Sequence, residues 1–528
     1  MSPTFPRDPL ASSGPSRTAV VAALTVAGSW LVAGCGSGDD DAAPAVTAQQ
    51  ACAALSGKTI GGSKLMAVAV AASGALPSYC KVNGTLDPSL NFEMRLPDAW
   101  NGKLYYGGGG GYNGSIPGLV LPALLQGYAA VASDSGHQTT SPLPDASFAL
   151  NDPFAAQLFG SLAIPTVMST ALEAVTAAYG TPPTRSYFEG CSEGGREALM
   201  AAQRNPNLFD GIIARAPAYI WVAFAGQFQR NVLALTAPGA QIGNTKLSLL
   251  SKAVRDACDA LDGIVDGIVS NPRQCTFDPT ALRCAGGADT GDTCLSDAQI
   301  AAVNTITSPV SVAGGVYTSA GWPLTGNEDD PSAWSAWITG GGNALDSVDY
   351  FFQDTTVKNY LARNPAQDSL AYAWDSNLDT LYGMAALNDA TNADLRPFMN
   401  SNGKLIIWHG GSDAALSPAS TAAYYRAAAD AAGGQTAADS FMRFYVAPGV
   451  NHCGGGAGAD TTDLLAALDQ WVTKGSAPGT LSAQKLDVNG TVTRTVPLCR
   501  YPQYPRYTGP ANDAAAAAAA ANYTCTAP

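Results

Sequence analysis

The six residues Gly190-Cys191-Ser192-Glu193-Gly194-Gly195 constrain this chain more than any other segment. They form a G-x-S-x-G string that follows the strand-like Ser186–Glu189 and precedes the helical Glu197–Arg204. So tight a turn between strand and helix admits only small neighbours. It lifts the serine hydroxyl above the end of a sheet, at a helix N-terminus. The backbone N–H of Glu193 then points at a developing oxyanion. The string alone is common, and its strand–turn–helix setting is what marks Ser192 as a nucleophile.

From about residue 100, short apolar runs alternate with amphipathic ones. Strands are expected at Leu104–Tyr106, Ala129–Ala132, Ser186–Glu189, Gly211–Ala214, Leu405–Trp408 and Met442–Val446. Helices are expected at Phe159–Tyr179, Gly194–Arg204, Pro418–Ala431 and Thr461–Lys474. Nearly all-apolar strands suit a sheet buried on both faces. The alternation predicts an α/β fold, a doubly wound and mostly parallel sheet. The rhythm breaks over residues 217–401, which hold four cysteines and many Gly, Asp and Asn. That stretch reads as a large inserted lid domain above the carboxyl ends of the strands, where ligands bind. Residues 51–216 and 402–528 then form the catalytic domain. The run Ala514–Ala521 reads as a surface helix turn or a solvated tail.

A serine hydroxyl needs a base, and the chain has only His137, His409 and His452. In α/β-hydrolases, which use such an elbow, the order is Ser, acid, His. His452 lies in a loop directly after the strand Met442–Val446, and Asp413 lies just past the end of Leu405–Trp408. The reading is therefore Ser192 as nucleophile, His452 as base and Asp413 as orienting acid. His409 and His137 read as structural, and Asp134 is the runner-up acid. The five glycines Gly107–Gly111 follow an early strand, so Gly111, beside Tyr112, is chosen as the second oxyanion donor.

Cys191 precedes the serine and Cys453 follows the histidine. If Ser192 and His452 touch, these two cysteines come within disulfide reach. In the chain-entropy model a bridge closing so long a loop is worth roughly 5 kcal/mol. Connectivity of the other cysteines is not fixed by spacing. Eleven cysteines in all point to an oxidising compartment, and the N-terminus agrees. Arg7 and Arg17 precede an apolar run that ends in Val32-Ala33-Gly34-Cys35, so residues 1–34 read as a lipoprotein-type signal peptide with lipid on Cys35. Residues 35–50 read as a flexible acidic tether. The expectation is export from a bacterial cytoplasm to the periplasm, the outer membrane or the exterior, with membrane attachment through that lipid. No other segment reads as long and pure enough to cross a membrane. With 28 basic against 42 acidic residues and no basic stripe, nucleic acid is not an expected partner.

These strings together resemble the tannase and feruloyl esterase family, whose signature couples catalytic Ser and His through adjacent cysteines. The resemblance runs from about Cys52 to Cys525. It rests on Gly190–Glu197, on His409-Gly410-Gly411-Ser412-Asp413 and on Asn451-His452-Cys453. Within the family the chain resembles the bacterial branch containing mono(2-hydroxyethyl) terephthalate hydrolase. The family implies an α/β-hydrolase core, a large lid and hydrolysis of esters of aromatic acids. It implies the acid role for Asp413 and the oxyanion role for Gly111 and the Glu193 N–H. It also implies the bridges Cys52–Cys80, Cys258–Cys275, Cys284–Cys294 and Cys499–Cys525.

Within the insertion, Asp259, Asp262 and Asp266 fall within eight residues and are interrupted by two Asp-Gly turns. Hard oxygen donors at that spacing suit structural Ca²⁺, with the carbonyls of Ile264 and Ile268 completing the shell, although the pattern is not an EF-hand. Family likeness points the same way. The lid also carries Trp322, Trp334, Trp337, Tyr350, Phe351 and Phe352, and Trp334, Trp337 and Phe351 are taken as substrate contacts. From Ile300 to Val357 there is no Lys or Arg. Terephthalate monoester hydrolases of the family hold the free carboxylate with a lid arginine. No residue here matches it, and only Lys358 and Arg363 stand nearby. A buried unpaired carboxylate is costly. The expected partner is therefore a small neutral aromatic ester of the feruloyl, coumaroyl or galloyl type. Terephthalate monoester hydrolysis, peptide or polyester cleavage, and a non-catalytic surface lipoprotein are the alternatives.

Overall fold

A computed structural model describes residues 45–528 except 119, 120, 512 and 514. The expected signal segment, Cys35 and most of the tether lie outside the described residues. The last tether positions are already helical. Ala48–Leu55 is a helix capped by Thr47, with Gln50 closing a capping box.

The central sheet has nine strands. They are β1 (Met66–Val70), β2 (Tyr79–Leu86), β3 (Leu90–Pro97), β4 (Lys103–Gly107), β5 (Ala129–Ser133), β6 (Arg185–Cys191), β7 (Gly211–Arg215), β8 (Lys404–Gly410) and β9 (Met442–Ala447). Their spatial order is β9-β8-β7-β6-β4-β5-β3-β2-β1. Every pairing from β9 to β5 is parallel, and those from β5 to β1 are antiparallel. The expected strands all fall inside β4–β9. Sequence reading missed β1–β3; β2 and β3 alternate apolar with polar or charged side chains and never form an all-apolar run. Across that face Lys81 and Arg95 both pair with Glu93, at 2.8 and 2.9 Å.

Each face of the sheet carries one core. On one face Tyr105, Tyr187, Ile406, Trp408 and Tyr445 pack with Leu464, Leu468 and Trp471 of the helix Leu464–Lys474. On the other, Phe92, Leu104 and Phe188 pack with helices Ala163–Tyr179 and Glu193–Arg204. This second core runs without a break into Trp221, Phe224, Phe228 and Trp322 of the insertion. Residues Ala45–Pro528 accordingly form one compact unit.

The insertion is mostly helical. It contains Trp221–Thr236, Asn244–Cys258, Asp297–Thr307, Val348–Thr356 and Leu378–Asn388. The first of these is buried on nearly every side, so it shows no amphipathic stripe for sequence reading to catch. The segment Pro153–Tyr179 is long and apolar enough to cross a membrane by length and composition, contrary to expectation, but 61% of its most apolar window is buried against the protein. It widens to a π-turn at Leu158–Leu162. The C-terminal alanines themselves form short 3₁₀ turns, Ala516–Ala518 and Ala520–Asn522, that lead into Tyr523–Thr526, which pairs antiparallel with Tyr504–Tyr507.

Candidate active site

β6 runs straight into Ser192, whose backbone sits at φ 63° and ψ −116°. An L-residue is rarely held there, and such strain concentrates at functional turns. Neighbouring backbone fixes it. Ser192 N donates to Arg215 O at 3.0 Å, while Ser192 O accepts from Arg196 N at 3.1 Å and from Ala218 N at 2.9 Å. A Cβ at position 194 would lie 2.7 Å from Gly109 O, so only glycine lets the glycine loop approach the elbow. Beneath the turn the Glu193 carboxylate and Arg196 guanidinium form a wholly buried pair. Burial pushes the Glu193 carboxyl up, and the neighbouring guanidinium opposes that. Arg196 also donates to Phe159 O at 2.7 Å and Gly160 O at 2.8 Å, carbonyls of the π-turn.

Asp413 is fully buried in the loop after β8. Its Oδ1 accepts from the N–H groups of Ala415 and Leu416, at 2.8 and 2.9 Å. Its Oδ2 lies 2.7 Å from His452 Nδ1. Burial alone would raise this carboxyl. The charge of His452, with hydrogen bonds from His409 and His452, reverses that and holds it well below the usual carboxylate range. The Nδ1–H of His452 therefore faces Asp413, leaving Nε2 for the cleft. His452 and Ser192 line that one cleft, together with Gly111. Among the described residues the Ser192 hydroxyl makes no hydrogen bond. Such contacts commonly tighten only when substrate enters.

His409 is more than a core histidine. Its Nε2 lies 3.0 Å from Asp413 Oδ2 and 3.0 Å from Leu416 O, both acceptors, so this nitrogen carries the proton. Nδ1 then accepts from the Thr421 hydroxyl at 2.9 Å. His137 instead stacks on Phe148 with ring centroids 3.6 Å apart, and burial pushes it down to about 4. Asp134 serves its own turn, accepting from Asn91, Gly136 and Gln138 rather than from His452.

In the glycine loop, Gly108 N donates to Glu189 O, Gly109 N to Glu197 Oε2 and Gly110 N to Asn113 Oδ1, at 2.9, 2.9 and 2.6 Å. Among the described residues the N–H groups of Gly111 and Glu193 have no protein acceptor. Gly111 sits at φ 61°, a conformation open to glycine. Buried Glu197 ties the loop further through Ser135, which in turn receives Asn113 Nδ2. Sequence reading had no signal for Glu197 beyond its place in the motif.

Beside Ser192 opens a narrow apolar slot. It is lined by Gly111, Ala218, Trp221, Phe224, Ala225, Phe228, Trp337, Phe352, Thr356, Ala415 and Leu416. Thr356 is its one polar side chain besides Ser192, and its proton is committed. Trp221 Nε1–H donates to Tyr112 Oη at 3.0 Å, Tyr112 O–H to Thr356 Oγ1 at 2.5 Å, and Thr356 O–H to Phe352 O at 2.6 Å. Outside the slot is a wider, more polar cleft of about 660 Å³, reaching Tyr105, Asp145, Glu189 and Arg215.

Of the expected contacts Trp337 lines both spaces, its ring 5.2 Å from that of His452. Two need correction. Phe351 lines neither space and packs on Tyr350, because one residue along the helix Val348–Thr356 turns the side chain away; Phe352 takes the position. Trp334 is buried behind the Asp413 loop, beside Gly411 and Ser412. Trp221, Phe224 and Phe228 were missed for the reason their helix was missed. Neither nearby cation enters the slot. Lys358 Nζ pairs with Asp354 at 2.8 Å, and Arg363 donates to the carbonyls of Ala149 and Leu150.

The cysteines bridge as Cys52–Cys80, Cys191–Cys453, Cys258–Cys275, Cys284–Cys294 and Cys499–Cys525. The second joins positions 262 apart in sequence, with Cα atoms at 5.9 Å. Bridges of this number fit a chain matured outside a reducing cytoplasm.

The model of the tannase and feruloyl esterase family matches residues 73–526. The chain belongs to this family. It is a carboxylic ester hydrolase of tannase and feruloyl esterase type. The chain is 34% identical to the mono(2-hydroxyethyl) terephthalate hydrolase of Piscinibacter sakaiensis, over 88% of this chain and 87% of that one. It is 31% identical to a probable feruloyl esterase of Arthroderma benhamiae, over 81% and 83% respectively. In fold it is similar to the crystal structure of feruloyl esterase B from Aspergillus oryzae, with a TM-score of 0.77, 24% identity and coverage of 88% and 96%.

Among the described residues no three His, Cys, Asp or Glu side chains converge closely enough to hold a metal ion. In the expected calcium loop, Asp259 accepts from the N–H groups of Asp266 and Gly267, and Asp262 from those of Ile264 and Ser270. Asp266 pairs with Arg494. The loop nevertheless carries more negative than positive charge. Three carboxylates share one guanidinium, and Asp259 and Asp262 are 4% and 3% exposed. The loop does not sit over the slot, as a lid site would. Ile264 packs with Tyr507 and Ala517, in the C-terminal segment.

Proposed function

We propose that the chain hydrolyses esters of neutral, single-ring aromatic acids of the phenolic type through a Ser192–His452–Asp413 acyl-enzyme mechanism. One observation carries this reading: a charge-free aromatic slot opens directly at Ser192, beside the His452–Asp413 pair. Ser192 Oγ forms a bond to the ester carbonyl carbon as its proton passes to His452 Nε2. The N–H groups of Glu193 and Gly111 hold the oxyanion, and Asp413 stabilises the imidazolium. The carbon–oxygen bond to the alcohol breaks, and the alcohol leaves with that proton through the outer cleft. Water then gives a proton to the same imidazole, attacks the acyl group and releases the acid.

The relative from Piscinibacter sakaiensis raises the second reading, a terephthalate monoester hydrolase. The slot argues against it, since among the described residues no cation lines it to meet a carboxylate. The test compares methyl ferulate with mono(2-hydroxyethyl) terephthalate on purified oxidised protein, and on Ser192→Ala. A preference for the terephthalate, or turnover by the variant, defeats the proposal.

We also propose that Ca²⁺ fills the charge deficit at Asp259, Asp262 and Asp266, with Ile264 and Ile268 carbonyls as further donors, and that it serves stability alone. Export with a lipid on Cys35 completes the reading. Mass spectrometry of the mature N-terminus tests that part.

A further inference from the structure

A second cavity, of about 250 Å³, lies behind the loops that carry Asp413 and His452. Gly411 and Pro448, at the starts of those loops, form part of its wall. Its chemistry is the reverse of the slot beside Ser192. Two arginines, Arg273 and Arg426, line it, and among the described residues neither has a carboxylate partner. Both side chains are exposed at the cavity wall, where an incoming anion can reach them.

Both guanidiniums are positioned against one ring. Arg273 Cζ stands 5.3 Å above the Tyr501 ring, and its Nη2 donates to Pro502 O at 3.0 Å. Arg426 Nη1 donates to Tyr501 Oη at 2.7 Å. Each guanidinium has five N–H groups in a fixed fork, so donors remain on both. A third donor group lies in the same wall. Asn271 is 6% exposed, and its Nδ2 has no acceptor. A buried amide nitrogen without a partner marks a place where an acceptor is missing. The remaining wall is largely proline and tyrosine, flat and apolar.

We infer that this cavity binds a single-ring aromatic carboxylate, its ring against Tyr501 and its carboxylate between Arg273 and Arg426. That is the chemical class of acid which Ser192 releases. The identity of ligand and product rests on the function proposed above, whereas the binding site does not. An occupant here touches the loops of Asp413 and His452 from behind, so the released acid reports back to the site that made it.

The experiment is titration calorimetry of the full chain as Ser192→Ala, with 4-hydroxybenzoate as probe and 4-hydroxybenzyl alcohol as its neutral counterpart. The expected result is saturable binding of the acid, at least about tenfold weaker binding of the alcohol, and a loss of at least about tenfold in Arg273→Gln/Arg426→Gln. Ala419→Trp, on an exposed position of the same wall, leaves both arginines in place and is expected to block the cavity equally. It serves as the second variant if the double one fails to fold. No saturable binding in the millimolar range, or an affinity within tenfold of the parent in the folded variants, overturns the site. A methyl ferulate assay on the parent separately reads whether the Ser192 chemistry holds.

Discussion

His409 Nε2 and His452 Nδ1 meet the same oxygen of Asp413, at 3.0 and 2.7 Å. The acid of the proposed triad is therefore gripped by two imidazoles, with Thr421 setting the tautomer of the first. A hydrogen bond to a charged group is worth about 1.5–3 kcal/mol. His409→Gln should accordingly lower kcat by roughly ten- to a hundredfold, with KM little changed, in steady-state assays on methyl ferulate. A parallel fall in KM and kcat, or full activity, would remove the positioning role.

The same grip makes Asp413 a stability element. Its folded pKa lies below its unfolded one, so its contribution is complete above about pH 4 and is lost as pH falls further toward the folded value. His409→Gln weakens the hold and moves the folded pKa upward. Acid unfolding followed by tryptophan fluorescence should begin at a higher pH in the variant than in the parent.

Asp389 gives the opposite slope. Burial pushes it up to about 8, against the amides of Val222 and Trp221 that it caps. Between about pH 4, where the unfolded carboxyl ionises, and about 8 the folded chain holds one more proton, so stability falls as pH rises. Asp389→Asn keeps an acceptor without the charge. It should raise Tm by on the order of 1–3 °C at pH 8 and by less at pH 5 in calorimetry.

Loss of the Cys191–Cys453 bridge should cost up to about 5 kcal/mol in the chain-entropy model. Cys191→Ser/Cys453→Ser should unfold at lower urea and show a reduced kcat, since the bridge holds the Ser192 and His452 loops together. An unchanged midpoint and unchanged turnover would make the bridge a bystander.

Chelation addresses the aspartate loop. With EDTA, Tm should fall and recover on adding Ca²⁺ but not Mg²⁺, which demands stricter geometry. Asp262→Asn should abolish the calcium response. Equal Tm in EDTA and calcium would leave Arg494 as the only cation the loop uses.

Much of this was legible in the chain. Strands buried on both faces, such as β5 and β8, announce themselves by composition, and the Gly190–Gly195 string carries its own geometry. What stayed hidden has physical reasons. β2 and β3 bury apolar side chains on one face and carry the cluster of Lys81, Glu93 and Arg95 on the other. Trp221–Thr236 is buried on nearly every side, its Gln227, Gln229 and Asn231 included, and has no period to read. Phe351 and Phe352 are adjacent in sequence, and only the phase of their helix decides which faces Ser192. The grip of His409 on Asp413 is likewise a matter of backbone direction after β8.

The apolar core passes from the sheet into the insertion without interruption, through Trp221, Phe224 and Phe228. A flap hinged across that seam would have to tear open the protein's own interior. Ser192 itself stays open to the outer cleft, and the half-buried Trp337 and Phe352 stand where that cleft adjoins the slot. Passage from the cleft into the slot is thereby set by side chains at its mouth, not by a moving cover.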